Sequence, residues 1–175
     1  GALVPAVFDK NFGEFLPSVI TTRFLNKKVR KPPGDVFVHF HITSGTLIKN
    51  CVFAKTGLMN EPLFIDYVDF DFCFRLLEAN YWILLSTNAV LNHSLGERKK
   101  RMMLDFREHA PRRVYYQTRN RLFAISKYGR RHRSFMFAES FRCLTKFFKI
   151  ILLESNKKEK IVMYVKGIKD FFRDY

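Results

Sequence analysis

The hydrophobic pattern of the first half of the chain predicts strands that alternate with short helices. Residues 36–49, "VFVHFHITSGTLIK", alternate and are rich in β-branched and aromatic residues, which is typical of a strand that reaches a turn. Residues 50–61 indicate a short helix that ends near Gly57 with a left-handed cap. Residues 71–81 have helical periodicity, and residues 82–93 predict a buried strand.

The second half of the chain has a helical pattern. Residues 113–128, "RVYYQTRNRLFAISKY", predict one helix, and residues 134–153 predict an amphipathic helix. One side of the amphipathic helix is charged and the other is apolar: Glu139, Arg142, Lys146 and Lys149 against Phe137, Phe141, Leu144, Phe148 and Ile151. This order of elements predicts an α/β layer over residues 1–97 and a basic helical extension over residues 98–175.

Composition indicates a folded domain with an anionic partner. Of 175 residues, 47% are hydrophobic and 27% charged, a balance typical of a globular chain with a core. Lysine and arginine outnumber aspartate and glutamate by 31 to 16, which favours nucleic acid, a phosphorylated molecule or an anionic membrane as partner. The three cysteines are far apart and have no metal-ligand spacing, which predicts reduced, mostly buried thiols.

The stretch "FIDYVDFDF", residues 64–72, places three carboxylates among apolar residues. They can be structural: Asp66 can cap the following helix together with Asp69, and Asp71 can pair with Arg75 one helical turn later. One carboxylate can instead be a general base at the positive end of a helix dipole. The residue types alone leave both readings open.

Four motifs in order carry a resemblance that covers most of the chain: "HITSGTLI", "FIDYVDFDFCFR", "NHSLG" and "YYQTRNRLF". In this order they resemble the C-terminal half of the family-2, inverting, metal-dependent glycosyltransferases of the GT-A fold. Within that family the chain looks most like the bacterial rhamnosyltransferases. The resemblance implies the fold class: an α/β domain that is the C-terminal half of a Rossmann-like GT-A unit, followed by a helical, amphipathic extension.

The resemblance implies roles for the acidic stretch. Asp69 matches the family's catalytic base, which deprotonates the acceptor hydroxyl. The chain departs from the commoner acidic pair because Val68 precedes Asp69, so the companion acid is absent, and Asp66 is a candidate substitute. Asp71 and Arg75 match a downstream acid and arginine that hold the helix near the substrate.

Further residues receive binding roles by the same resemblance. His93 in "VLNHSLG" matches a histidine that helps bind a divalent cation, Mg²⁺ or Mn²⁺, on the diphosphate of the sugar nucleotide. Ser44, Gly45 and Thr46 match the stretch that lines the acceptor side of the cleft, although an ordinary turn is the alternative. Arg119 is expected near the substrate or in a structural role.

The resemblance also implies partners and a location. We expect a nucleotide-sugar donor such as dTDP-rhamnose, a saccharide or lipid-linked acceptor, and a cytoplasmic enzyme on the inner face of the cell membrane. The apolar face of residues 134–153 either packs in the core or lies on the anionic membrane surface. We find no Asp-x-Asp metal motif before residue 36, so we expect this chain to start within a larger fold and to have weak or no activity without a donor-binding half.

Two alternatives come from other classes of protein. A basic nucleic-acid-binding module would use the arginines and tyrosines of residues 112–123. It gives no role to three aspartates among aromatic residues, so we expect no nucleic-acid partner. A noncatalytic adaptor on the membrane surface would use only the phenylalanine-rich basic helix.

Overall fold

The computed structural model describes residues 1–22, 26–94, 97–101 and 104–174. Their contacts divide the chain into two compact units. The first unit comprises Gly1–Pro62 and Val68–Leu95, and the second comprises Leu63–Tyr67 and Gly96–Tyr175. The acidic stretch is therefore split, with Asp66 in the second unit and with Asp69 and Asp71 in the first. The functional roles that we predict for residues 1–97 and 98–175 stay predictions.

The first unit is built on a mixed sheet with the strand order β2-β1-β7-β5, in which β6 also pairs with β1. The central strands β1 and β7 are parallel, and the other pairs are antiparallel. A two-stranded ribbon, β3-β4, and two helices complete the unit. The elements are β1 (Ala2–Asp9), β2 (Glu14–Phe15), β3 (Ser18–Thr21), β4 (Asn26–Val29), β5 (Val36–Val38), β6 (Leu47–Ile48), α1 (Asn50–Thr56), α2 (Val68–Glu78) and β7 (Ile83–His93).

The strand predicted over residues 36–49 is shorter in the structure, because its polar side chains bind other elements. Strand β5 ends at Val38, and Phe40 then forms a single bridge with Val19 of β3. Nδ1 of His39 accepts a hydrogen bond from the backbone N–H of Thr21 at 2.9 Å. The residues directly after Val38 therefore bind β3 and do not continue the ladder of β5.

The strand predicted to be buried over residues 82–93 is buried only in its first half. Its register with β1 shifts between Pro5 and Ala6, whose partners are Ser86 and Val90. Proline has no N–H to donate to a ladder, which favours an irregularity at this point. Thr87, in the bulge, donates its N–H to Asp35 at 2.8 Å instead.

The second unit contains a hairpin and three helices among the residues described. The basic residues after the first unit form β8 (Glu97–Arg101) and β9 (Leu104–Glu108) where we expected helix. The helices are α3 (Pro111–Tyr128), α4 (Arg133–Leu152) and α5 (Lys157–Asp174). They confirm the helical pattern of the second half. Pro111 begins α3 at a position where the missing N–H costs nothing.

Helix α4 turns a mixed face inward, on which Glu139 and Lys146 are buried together with Phe135 and Ile150. Glu139 is 1% exposed and Lys146 is 9% exposed. The five phenylalanine, leucine and isoleucine residues of the predicted apolar face are between 36% and 67% exposed. Packing of that face in the core, one of our two expectations, is therefore wrong.

The inward side of α4 is held by ion pairs. Glu154, fully buried, lies 2.8 Å from Nζ of Lys146 and 3.0 Å from Nζ of Lys160 on α5. Lys160 also contacts Glu108 at 2.7 Å, and Ser155 donates two hydrogen bonds to the same carboxylate. These bonds lower the pKa of Glu108 to about 2 against the opposing effect of burial.

These elements make the chain a mixed α/β protein with one sheet of parallel and antiparallel pairs in the first unit and with helices in both. The described part contains no helix that is long and apolar enough to span a bilayer.

We expect Glu154→Gln to lower the free energy of unfolding by about 3–5 kcal/mol, because it leaves buried lysines without their carboxylate. Glu159→Gln is the matched control, since Glu159 is exposed on α5 and its loss should cost less than about 1 kcal/mol. Urea unfolding followed by circular dichroism measures both values. Equal losses in the two variants would contradict the stabilising role of the buried cluster.

Candidate functional site

Asp69 lies in the first turn of α2, as the general-base reading requires. It is the second residue of the helix and is half-buried. The free N–H groups and the dipole at a helix N-terminus stabilise a negative charge there. The position fits a carboxylate that reacts with a bound hydroxyl, and it also fits a structural acid.

Thr43 fixes the orientation of the Asp69 carboxylate. The backbone N–H of Thr43 donates to Oδ1 of Asp69 at 2.9 Å, and the Thr43 hydroxyl donates to the same oxygen. Among the described residues, Oδ2 of Asp69 accepts no hydrogen bond. One carboxylate oxygen is therefore held by the protein, and the other is available to a ligand.

The predicted acceptor-side motif forms the turn that carries Thr43. Thr46 donates its N–H to the carbonyl of Thr43 at 3.0 Å, which closes the turn around Ser44 and Gly45. Gly45 has a φ of +72°, and a Cβ there would lie 3.1 Å from the Pro5 ring, so a side chain would be strained and crowded. The turn is thus fixed against β1, and Ser44 and Thr46 are half-buried beside it.

His41 is a buried neighbour of this arrangement that sequence reasoning missed. Its Nδ1 lies 2.7 Å from Oγ of Ser18, and its Nε2 has no hydrogen-bond partner among the described residues. Burial lowers the pKa of His41 to about 4, although the charge of Asp69 opposes this shift. His41 is therefore neutral at pH 7.

Asp71 and Arg75 form the ion pair that their spacing predicted. Nε of Arg75 lies 2.9 Å from Oδ2 of Asp71, which is 1% exposed. Nη1 of Arg75 also donates to the carbonyl oxygens of Thr56 and Gly57, where α1 ends. The pair therefore ties α2 to the C-terminus of α1, and Gly57 ends that helix at a φ of +71° as a glycine can.

In the second unit, Asp66 is bound by an arginine. Nε and Nη2 of Arg113 donate to the two oxygens of Asp66 at 2.9 and 3.0 Å, a bidentate pair. Asp66 and its neighbours Phe64 and Tyr67 have positive φ values between 59° and 63°, which non-glycine residues adopt at a cost. The loop is thus strained and needs external anchors.

Asn120 and Arg119 lie on α3 beside this loop. Nδ2 of Asn120 donates to the carbonyl oxygens of Leu63, Ile65 and Asp66 at 2.7 to 3.1 Å. Arg119 donates to Oδ1 of Asn120 at 3.0 Å and stacks on two tyrosine rings, Tyr115 and Tyr116. Asn120 therefore anchors the strained loop. The predicted substrate contact of Arg119 stays a prediction.

His93 ends β7 beside Asp9, its register partner at the end of β1. Nδ1 of His93 accepts a hydrogen bond from the backbone N–H of Ser94 at 3.0 Å. A neutral imidazole that accepts at Nδ1 carries its proton on Nε2 and offers a donor there, where a metal needs a lone pair.

The described residues also contain no group of three or more histidine, cysteine, aspartate or glutamate side chains that could hold a metal ion. As placed, His93 does not fit a metal site, so we derive no step through a metal. The divalent cation stays a prediction of the resemblance.

Two cavities of the first unit do not include Asp69. One, of about 10 Å³, is lined by His41, Thr43 and Cys73 among others and has room for about one water molecule. The other, of about 490 Å³, is lined by Phe37, Leu47 and Trp82 among others and has no acidic residue in its wall. The candidate site is therefore defined by the carboxylate and its turn.

A mixed α/β unit with an oriented carboxylate at a helix N-terminus is compatible with a glycosyltransferase domain. The chain is 28% identical over 127 residues to the dTDP-rhamnosyl transferase RfbF of Shigella flexneri, a match that covers 70% of this chain and 43% of that protein. The chain therefore spans less than half the length of this relative. The similarity confirms the predicted resemblance to rhamnosyltransferase-like glycosyltransferases.

No family model matches the chain, and no solved structure matches it. The division into a donor half and an acceptor half, the site residues and the cation therefore depend on the motifs and on the geometry described above.

Sequence signals for Thr43 and His41 exist but are weak. Every second residue from 39 to 43 binds a polar group: His39 binds Thr21, His41 binds Ser18, and Thr43 binds Asp69. The alternation predicts that these three side chains share a face. The partners of that face lie 18 to 26 residues away, so the pattern could not identify them.

We expect stability to fall between pH 6.5 and pH 4 because of His41. The unfolded chain binds a proton there while the folded His41 does not, so His41 lowers the free energy of unfolding with falling pH, by about 2–3 kcal/mol over the range, and His109, whose pKa burial also lowers to about 4, adds to the fall. His41→Asn, which keeps an acceptor for Ser18, should reduce this pH dependence in urea unfolding.

Ser18→Ala is the control for this measurement, because it removes the partner and keeps the titrating ring. Ser18→Ala should lower the free energy of unfolding at every pH and leave its change with pH the same. An unchanged slope in His41→Asn would show that other groups cause the pH dependence.

Proposed function

We propose that this chain is part of an inverting glycosyltransferase that transfers a sugar, expected to be rhamnose, from a nucleotide sugar to a saccharide or lipid-linked acceptor. The observation that carries the proposal is the similarity to a dTDP-rhamnosyl transferase together with the free Oδ2 of Asp69. On this proposal the chain forms the acceptor-binding, C-terminal half of a GT-A domain. The donor is then held by residues outside it.

In the proposed reaction, Oδ2 of Asp69 removes the proton of an acceptor hydroxyl. The hydroxyl oxygen forms a bond to the anomeric carbon while the bond from that carbon to the diphosphate breaks. The diphosphate leaves with the electron pair, and a single in-line displacement inverts the anomeric centre. The chain's own contribution is to hold the base and the acceptor in line.

The geometry supports Asp69 over the other two carboxylates as the base. Both oxygens of Asp66 are bound by Arg113, and Asp71 is 1% exposed and paired with Arg75. Asp69 is half-buried, and one of its oxygens is unoccupied. A base needs a free carboxylate oxygen within reach of the acceptor. Of the three aspartates, only Asp69 combines a free oxygen with partial exposure.

The turn that follows Thr43 supports an acceptor site. Ser44 and Thr46 carry hydroxyls within three residues of the Asp69 contact, and Gly45 leaves the backbone uncovered. Hydroxyls donate and accept, which suits them to sugar hydroxyls. On this proposal the turn binds the acceptor while Asp69 deprotonates it.

We expect Asp69→Asn to lower kcat by about 10²–10⁴-fold, because asparagine keeps the bond from Thr43 and cannot take a proton. The assay measures transfer of rhamnose from dTDP-rhamnose by the full-length gene product that contains this chain. Glu78→Gln is the matched control at the exposed end of the same helix and should keep turnover near that of the unchanged protein.

Near-full turnover in Asp69→Asn, with an unchanged unfolding temperature, would contradict the role of Asp69 as base and leave it a structural role only. Absence of any sugar transfer by the unchanged full-length protein would contradict the proposed function itself.

Thr43 is proposed as a positioning residue. We expect Thr43→Val to lower kcat about tenfold with little change in the KM for acceptor, because the carboxylate keeps the backbone bond and loses the hydroxyl bond. Thr43→Ser should restore most of the rate. Equal rates for valine and serine at this position would show that the hydroxyl does not orient the base.

A further inference from the structure

The outward side of α4 is a continuous apolar surface. We call it the phenylalanine stripe and define it as Phe137, Phe141, Leu144, Phe148 and Leu152, which are 52% to 67% exposed. Spacings of three and four residues place these side chains on one face of the helix. A 20-residue helix is about 30 Å long, so the stripe extends over much of that length.

The stripe faces outward because the other side of α4 is buried, with Phe135 and Ile150 in the core beside two charged residues. Glu139 and Lys146 are buried in ion pairs with Arg121 and Glu154. The helix cannot rotate its phenylalanines inward without removing those charges from their partners, which would cost several kcal/mol. The exposed apolar surface is therefore a fixed feature of the second unit.

Exposed cations lie at both ends of the stripe, and at the α5 end they outnumber the exposed Glu159 by two to one. Arg133 begins α4 four residues before Phe137 and lies on the same face, and Arg130 precedes it; both are exposed. Lys157 and Lys158, also exposed, begin α5 after the other end of α4. Helices that lie in a membrane interface combine an apolar face with lysines and arginines that attract anionic lipids, and here the exposed cations lie beyond the two ends of the face.

The whole second unit is strongly basic. By sequence it contains 22 lysines and arginines against 9 aspartates and glutamates, which gives it +13 of the chain's +15. A surface potential of this sign draws the unit to an anionic leaflet at about 1 kcal/mol for each cation close to it. The charge and the stripe thus favour the same surface.

Two other occupants fit the stripe less well. A second copy would bring two units of +13 together, which electrostatic repulsion opposes. A nucleic acid would match the charge and stack on the phenylalanines, but Leu144 and Leu152 add neither stacking nor hydrogen bonds, and the stripe itself carries no cation for the backbone. An anionic bilayer accepts both the apolar side chains and the cations.

We propose that the phenylalanine stripe of α4 inserts into the interface of an anionic phospholipid bilayer, with Arg133 and Lys157 on the headgroups at its two ends. This contact does not depend on the sugar transfer proposed above. It makes the second unit a membrane-docking surface.

The test is sedimentation of the full chain with vesicles of phosphatidylcholine alone and of phosphatidylcholine with about one part in three phosphatidylglycerol. The unchanged protein should sediment with the anionic vesicles and much less with the neutral ones. Phe141→Ser combined with Phe148→Ser should weaken binding at least about tenfold. Phe172→Ser is the matched control, because Phe172 is 75% exposed on α5 and lies outside the stripe.

A second pair of variants tests the charges. Arg133→Gln with Lys157→Gln should weaken binding to the anionic vesicles several-fold and reduce its salt dependence. Lys27→Gln with Lys28→Gln removes the same charge from exposed positions on β4 in the first unit and should leave binding nearly unchanged.

Three results would overturn the proposal. The first is equal binding by the double phenylalanine variant and by Phe172→Ser. The second is a dimer in sedimentation equilibrium that Phe141→Ser with Phe148→Ser dissociates, which would assign the stripe to a second copy. The third is no binding to anionic vesicles together with oligonucleotide binding that the double variant loses.

Discussion

Two buried carboxylates, Glu139 and Glu154, determine how the second unit packs. Glu139 forms an ion pair with Arg121 of α3, which links α4 to α3. Glu154, just after α4, forms an ion pair with Lys160, which links the end of α4 to α5. A buried carboxylate without a cation would lose more free energy by desolvation than its packing contributes. Helix α4 therefore turns inward the face that carries Glu139 and Lys146 beside Phe135 and Ile150, and leaves its phenylalanine-rich face outward.

The acidic stretch shows how one run of sequence serves two units. Asp66 belongs to a loop with unusual backbone angles that Arg113 and Asn120 hold from α3. Asp69 belongs to α2 and is held by Thr43. Each non-glycine residue with positive φ costs about 1–2 kcal/mol. The hydrogen bonds from Arg113 and Asn120 offset this cost in the loop. The chain leaves this anchored loop at Tyr67 and begins α2 at the next residue.

Sequence reasoning predicted local relations and missed distant ones, and the reason is physical. Helical period identified α3 and α4, and the spacing of Asp71 and Arg75 predicted their pair, because both depend on residues within a few positions. Tyr67 and Glu139 are 72 residues apart, and only the fold brings them together. Periodicity grouped the five exposed apolar residues of α4 correctly on one face. It could not show that Phe135 and Ile150 would be buried beside Glu139 and Lys146, or that Arg142 would stay exposed.

Where the resemblance expects an acidic companion of Asp69, the structure has the hydrogen bonds from Thr43. Val68 supplies no polar group, and a second carboxylate would in any case repel the first. Thr43 donates two hydrogen bonds to one oxygen, which restricts rotation of the carboxylate and fixes the direction of the other oxygen. On the proposed function, a base that is oriented before its acceptor arrives loses less entropy on reaction, so Thr43 would supply the orientation of Asp69 without a companion acid.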